Sequence, residues 1–164
     1  MDRKFEIERK FLIKYPDLSM LRNLDGCEEI KIEQTYCENG IRLRKWTRGS
    51  KTVYIKTVKY KISDMTRLEE EGEISREEYD RLITTANKEC NTIKKVRYRY
   101  PFENRVLEID VFPFWSKQAF LEVELEDEKA AFKLPDFIEV IREVTFDKQY
   151  RNYALSKRIP NEEI

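Results

Sequence analysis

The sequence predicts an antiparallel, strand-dominated α+β domain, and three observations carry that prediction. Short segments alternating with period two recur along the chain, as expected of strands with two chemically different faces. A capping box opens one amphipathic helix. Breakers are sparse, with four Gly and five Pro among 164 residues and no Gly/Ser linker, so residues 1–164 read as a single domain.

The first strand spans Phe5 to Phe11, with Glu6, Glu8 and Lys10 on one face and Phe5, Ile7 and Phe11 on the other. Arg9 is the exception on the greasy face. Pro16 to Leu21 reads as a short helix, and Ile30 to Tyr36 as a second, less regular strand. Clean alternation follows at Ile41–Arg44 and Val53–Lys56. Glu69–Ile74 is a further strand of weaker pattern. Ser75-Arg76-Glu77-Glu78 is the capping box, and Tyr79, Leu82, Ile83 and Ala86 then recur at helical spacing, which predicts a helix over 76–88. Val96–Tyr100, Leu107–Val111 and Leu121–Leu125 complete the strands. Asp127–Phe132 and Asp147–Lys157 are expected to be helical.

Composition excludes several kinds of chemistry. The chain is 39% charged, against about 25% in ordinary soluble domains, yet 32 Lys+Arg balance 32 Asp+Glu. A net charge of zero argues against a generic nucleic-acid binder. With no His, the usual zinc ligands, imidazole bases and Ser-His or Cys-His triads are all missing. Cys27, Cys37 and Cys90 form no C-x-x-C pair and read as reduced thiols. No apolar signal region opens the chain and no apolar run approaches the roughly 18 residues of a membrane span. A cytoplasmic protein with no membrane partner is the expectation.

The excess charge is sorted. A sheet with one wet face explains any single E-x-E or R-x-R pair, but ordinary wet faces mix Thr, Ser, Gln and Lys, whereas these are almost purely ionic and segregated by sign. Residues two apart on a strand lie roughly 6.6 Å apart, so Glu6 and Glu8 can converge on one divalent cation that Glu122 and Glu124 reach from another strand. Carboxylate oxygens suit Mg²⁺ or Mn²⁺, whose open positions are filled by substrate phosphates. Lys10, Arg42, Arg44, Lys56, Lys95 and Arg97 form the matching cationic set, suited to several consecutive phosphates. Burying so many ions is costly unless they pair or stay hydrated. A wet barrel lumen lined by both signs satisfies that condition.

Glu6-Ile7-Glu8-Arg9-Lys10, an E-x-E-x-K strand, resembles the signature of the triphosphate tunnel metalloenzymes, the CYTH superfamily. Later elements are similar along nearly the whole chain: Gln34-Thr35-Tyr36, Arg42-Leu43-Arg44, Lys56, Arg67 with Glu69–Glu73, Lys95–Arg99, Glu108-Ile109-Asp110 and Glu122-Val123-Glu124. Arg142–Thr145, followed by Asp147, Tyr150, Asn152 and Leu155, resembles the C-terminal segment of short bacterial members. The resemblance implies an eight-stranded antiparallel β-barrel, a tunnel open at both ends, with a charged lumen and helices packed on its exterior. It also implies a metal at Glu6, Glu8, Glu122 and Glu124, and phosphate contacts from Lys10, Arg42, Arg44, Lys56, Lys95 and Arg97, with Arg67 and Arg99 as further candidates. Glu71, Glu73, Glu108 and Asp110 would hold the basic groups or a second metal. Tyr36 and Lys95 resemble a pair that orients or deprotonates the attacking water.

Two residues depart from the pattern. Tyr54 stands where relatives carry a small hydroxyl residue two positions before the strand lysine, and Glu70 replaces an aromatic and is expected to face outward. The implied reaction is divalent-metal-dependent hydrolysis of a small-molecule triphosphate, foremost inorganic tripolyphosphate. A class IV adenylyl cyclase, a thiamine or nucleoside triphosphatase with Trp46 or Trp115 as aromatic platform, and a non-catalytic polyphosphate-binding module are the alternatives. Monomer and homodimer stay open.

Overall fold

The computed structural model describes residues 2–164, with side chains from Phe5 onward. Among the described residues the strands are β1 (Asp2–Lys14), β2 (Glu28–Tyr36), β3 (Ile41–Arg48), β4 (Lys51–Lys61), β5 (Thr66–Ile74), β6 (Ile93–Phe102), β7 (Arg105–Val111), β8 (Gln118–Glu124) and β9 (Val140–Glu143). They form one antiparallel sheet in the order β5-β4-β3-β2-β6-β7-β8-β1-β9, and β5 also pairs with β1. That extra pairing closes eight strands into a barrel. The length of β1 makes closure possible: Asp2–Ile7 pair with β5, whereas Glu8–Lys14 pair with β8. The ninth strand, not anticipated from sequence, extends β1 at Phe11–Ile13.

Tight connections have local causes. Glu103 and Asn104 both take positive φ, 48° and 62°, as a two-residue hairpin between β6 and β7 requires. Gly49 supplies the positive φ of the β3–β4 turn. Helix α1 (Leu18–Asn23) is capped by Asp17, which accepts from the Met20 amide at 3.1 Å. Helix α2 (Arg76–Leu82) is capped as expected by Ser75, but it ends early in a 3₁₀ turn, Ile83–Thr85. There Ala86 bridges to Cys37 and the Asn87 amide donates to the Tyr36 carbonyl, drawing the chain back to the barrel.

The polarity of the strands is inverted relative to an ordinary domain. Leu107, Ile109, Leu121, Val123, Phe11 and Ile13 point outward, where they pack under α1 and the 130–138 segment. Leu43 packs outward against Leu82 of α2. Arg9 is tolerated among these apolar side chains because it donates to Glu143 at 2.8 and 2.6 Å and lies over the Phe11 and Phe132 rings.

Three expectations change. The 127–132 segment is not helical; Ala130, Phe132 and Leu134, spaced by two, lie irregularly across the outer face of the sheet. The 147–157 segment is a 3₁₀ turn, Lys148–Tyr150, and a short α3 (Asn152–Leu155), broken by extended Arg151. Nor is the bore open at both ends. Leu12, Phe120, Phe112 and Ile93 cluster with Val144, Tyr150 and Leu155 of the C-terminal segment, which roofs that end. The Lys10 carbonyl accepts from the Val144 amide at 2.8 Å, fixing the roof to β1.

Phe120 is fully buried in the roofed cluster, in contact with Phe112, Trp115 and Tyr150 rings. Phe120→Ala is expected to cost about 3–5 kcal/mol, read as a lower denaturant midpoint with an unchanged slope; a loss below about 1 kcal/mol would show that the cluster does not brace the fold.

Candidate active site

Cross-strand register sets which charges meet. Glu8 stands opposite Glu124, and Lys10 opposite Glu122, on β1 and β8. Glu122 in turn stands opposite Glu108 on β7, and Asp110 opposite Arg97 on β6. Because paired residues in an antiparallel ladder share a face, this one chain of pairings turns all of them inward. Tyr36 opposite Arg42, and Arg42 opposite Thr57, continue the inner face around β2, β3 and β4.

Two ion networks line opposite walls. In the first, Asp110 is clamped between Lys95, at 2.8 Å, and Arg97, which donates from Nε and Nη2 at 2.8 and 2.9 Å. Arg97 also meets Glu108 at 3.1 Å and Glu122 at 3.7 Å, while Lys10 lies 3.5 Å from Glu122 and Arg99 3.3 Å from Glu108. In the second, Arg42 reaches Glu69 at 3.6 Å, Arg44 donates to Glu71, and Thr57 donates to the same carboxylate at 2.7 Å. Lys59 bridges Glu6 at 3.1 Å and Glu69 at 3.7 Å.

Protonation follows from these contacts. Burial opposes ionisation of Asp110, yet Arg97 and Lys95 hold it well below the usual carboxylate range. Burial likewise opposes ionisation of Glu6, but Lys59 and a hydrogen bond with Glu69 keep it ionised. Glu8 behaves oppositely: burial first, then the negative charge of Glu122, push its carboxyl up to about 8. Glu69 is raised to about 7 by burial, with Glu6 adding repulsion against the pull of Lys59. Lys95 is lowered to about 8, chiefly by burial, against the attraction of Asp110. Burial also raises the Tyr36 phenol, so it stays protonated at neutral pH.

Between the roof and the walls lies a cavity of about 510 Å³. Lys10 from β1, Arg42 from β3, Lys59 from β4 and Arg67 from β5 line it beside Glu8, Tyr36 and Thr57. Arg67 is held by three backbone carbonyls, of Ser63, Asp64 and Thr66. Asn39, Asn87, Arg151, Asn152 and Tyr153 also line it.

Most of the expected site residues are therefore together, with three differences. Lys56 is not in the lumen: it stands opposite Leu43 and Gly72, on the outer face that α2 covers. The lumen lysine of β4 is Lys59, and Thr57 is the small hydroxyl residue two positions before it. Tyr54, on the Lys56 face, packs its ring 4.7 Å from that of Tyr79. Second, Lys95 is buried against Asp110 and is not among the cavity-lining residues with Tyr36, which faces Arg42 and Lys59. Third, Glu73 and Glu124 share the inner parity but are exposed. Sequence reading missed Thr57, Lys59 and Glu69, although Glu69 follows from Glu71 by the period of two.

The oxygen donors suit a hard cation. Glu8 carries repulsion from Glu122 and Glu6, and among the described residues the buried Glu122 Oε1 accepts no hydrogen bond, its contact with Lys10 being an ion pair at 3.5 Å. Among the described residues no three Cys, Asp or Glu side chains are grouped to hold a metal ion as they stand, so phosphate and water oxygens would have to supply much of the coordination.

Residues 4–150 match the CYTH domain, and the chain belongs to that family. Over 102 residues it is 39% identical to an inorganic triphosphatase of Acetivibrio thermocellus, covering 62% of this chain and 64%, just under two thirds, of that protein. An inorganic triphosphatase of Nitrosomonas europaea is 32% identical over 171 residues, covering 94% of this chain and 99% of its own length. The crystal structure of the inorganic triphosphatase NE1496 aligns with a TM-score of 0.57 at 29% identity, covering 95% of this chain and 100% of the other. The closed antiparallel barrel is the tunnel fold of this family.

The protonation of Glu8 predicts a pH signature. Its folded value of about 8 lies above the ordinary 4.5, so its contribution to stability is complete below about 4.5 and is lost as pH rises through 8. With chelator present, melting temperature should fall between about pH 5 and pH 8.5, and Glu8→Gln should flatten the upper part of that fall, leaving the part due to Glu69. An unchanged slope in Glu8→Gln would rule out proton retention at this position.

Proposed function

We propose that this protein hydrolyses a triphosphate, foremost inorganic tripolyphosphate, to diphosphate and phosphate with a divalent metal, Mg²⁺ or Mn²⁺. One observation carries the reading: four different strands each deliver a cation, Lys10, Arg42, Lys59 and Arg67, into a single cavity beside Glu8. A compact chain of linked phosphates is the ligand that such a charge distribution recognises. The relatives named inorganic triphosphatase support the choice of an inorganic substrate.

Glu6, Glu8 and Glu122, with Glu124 nearby, would hold the metal, which when bound neutralises phosphate charge and favours water as nucleophile. The chain's own residues do the rest. Lys10, Arg42, Lys59 and Arg67 bind the non-bridging oxygens and stabilise charge that collects on the departing diphosphate as water adds to the terminal phosphorus and the bridging P–O bond breaks. Gln34 donates to the Tyr36 hydroxyl at 2.9 Å. The phenol proton is thereby left to orient a water or a phosphate oxygen. Arg44 and Arg97, tied to Glu71 and Asp110, act from behind by fixing the field of the lumen.

Incubation with tripolyphosphate, ATP and thiamine triphosphate under Mg²⁺ or Mn²⁺, with separate detection of phosphate, pyrophosphate and cyclic AMP, tests this reading. Phosphate and pyrophosphate from tripolyphosphate are expected. Cyclic AMP from ATP would reassign the chain to a cyclase, and no product from any substrate would leave a binding module.

A paired substitution tests the placement of the β4 lysines. Lys59→Ala should lower kcat/KM for tripolyphosphate about 10²-fold, the scale of losing a charged contact to the transition state, whereas Lys56→Ala should change it less than about twofold. The reverse order of effects would show that the strand binds substrate with its other face.

A further inference from the structure

The roof brings one more cation to the mouth of the cavity. Arg151, in extended conformation between the 3₁₀ turn and α3 (φ −69°, ψ 144°), lines the cavity together with Arg67, Lys59 and Lys10. Its Nη2 donates to Asp64 Oδ1, in the β4–β5 turn, at 3.3 Å. Asp64 is already engaged by Lys61 at 2.9 Å. One carboxylate thus serves two cations across the mouth.

The guanidinium is only partly satisfied. Among the described residues its Nε is buried without an acceptor, and its charge lies close enough to Arg67 to add to the effect of burial in depressing the ionisation of that arginine. A single long contact between groups that are 31% and 51% exposed contributes little to stability. A phosphate offers an arginine paired acceptors and a larger charge, and it would relieve the repulsion from Arg67 at the same time. Position also matters: Arg151 belongs to the segment whose neighbour Tyr150 accepts from Lys10 Nζ at 2.8 Å, so roof and floor of the cavity are already linked.

We propose that Arg151 is a further phosphate-binding residue, which exchanges its shared contact with Asp64 for an outer phosphate of the triphosphate chain and so ties the roof to the substrate. This rests on the triphosphatase reading and adds a contact from outside the barrel strands.

Steady-state hydrolysis of tripolyphosphate with Mg²⁺, together with calorimetric titration of tripolyphosphate into metal-free protein, tests it. Arg151→Gln should raise KM and the dissociation constant about tenfold with kcat changed much less, as expected for loss of one charge-assisted contact, and Arg151→Lys should recover part of the loss. Asp64→Asn removes the competing acceptor and should leave binding unchanged or tighter. An unaltered KM in Arg151→Gln, or weakened binding in Asp64→Asn as well, would overturn the proposal, the second result showing that the pair merely braces the roof. Wild-type protein that neither binds nor cleaves tripolyphosphate would instead fail the underlying reading, and Arg151 with it.

Discussion

The clamp of Asp110 by Lys95 and Arg97 is the interaction on which the interior depends. All three side chains are buried, Lys95 and Asp110 to 1% exposure. An isolated ion in such a place costs several kcal/mol, and removing one member of a buried pair leaves the other uncompensated. The clamp offsets that cost by pairing every charge and satisfying the Asp110 oxygens with three donors. A closed barrel of eight strands is normally filled by apolar side chains. Here salt bridges occupy much of that space, and the apolar material is displaced to the outer face, under α1, α2 and the 130–138 segment.

That inversion divides the cations into two groups. Lys95, Arg97 and Arg44 are held by carboxylates deep in the wall, where they shape the electrostatic field without lining the cavity. Lys10, Arg42, Lys59 and Arg67 line the cavity itself. The carboxylates divide in a similar way. Asp110 and Glu6 remain ionised because cations outweigh their burial, while Glu8 retains a proton because burial and Glu122 prevail. A group that must lose a proton to accept a cation couples metal uptake to pH.

The roof adds a second layer of organisation. Apolar residues on the inner face at one end, Leu12, Phe112 and Phe120, give the C-terminal segment something to pack on. Thr145 donates to Glu143 at 2.7 Å, and the Lys10 amide donates to Thr145 at 2.9 Å, so the chain is stitched to β1 where β9 ends. The same contacts that stabilise this end enclose the cavity and exclude water from one side of it. Enclosure strengthens every charge interaction inside.

Local alternation was sufficient to read much of this from sequence. On β1, β7 and β8 most charged and apolar residues separate by parity, Arg9 and the roofed end at Leu12 and Phe120 excepted, and Glu6, Glu8, Lys10, Glu108, Asp110 and Glu122 all fall on the face expected. On β4 it failed, since Lys56 and Lys59 are three apart and must face opposite ways, and only the pairing of Thr57 with Arg42 selects between them. On β2 the polarity rule itself reverses: Ile30 and Ile32 face inward opposite Arg97 and Lys95, while Lys31 and Glu33 face out. The sequence by itself determined eight of the nine described strands and the ionic character of one face on most of them, because a period of two is a property of a single strand, and its motifs carried the resemblance to the family. Tertiary structure alone decided which lysine of β4 lines the cavity, which lysine is held by Asp110 and which end is roofed, because those outcomes depend on register between strands and on where the chain returns after the barrel has closed.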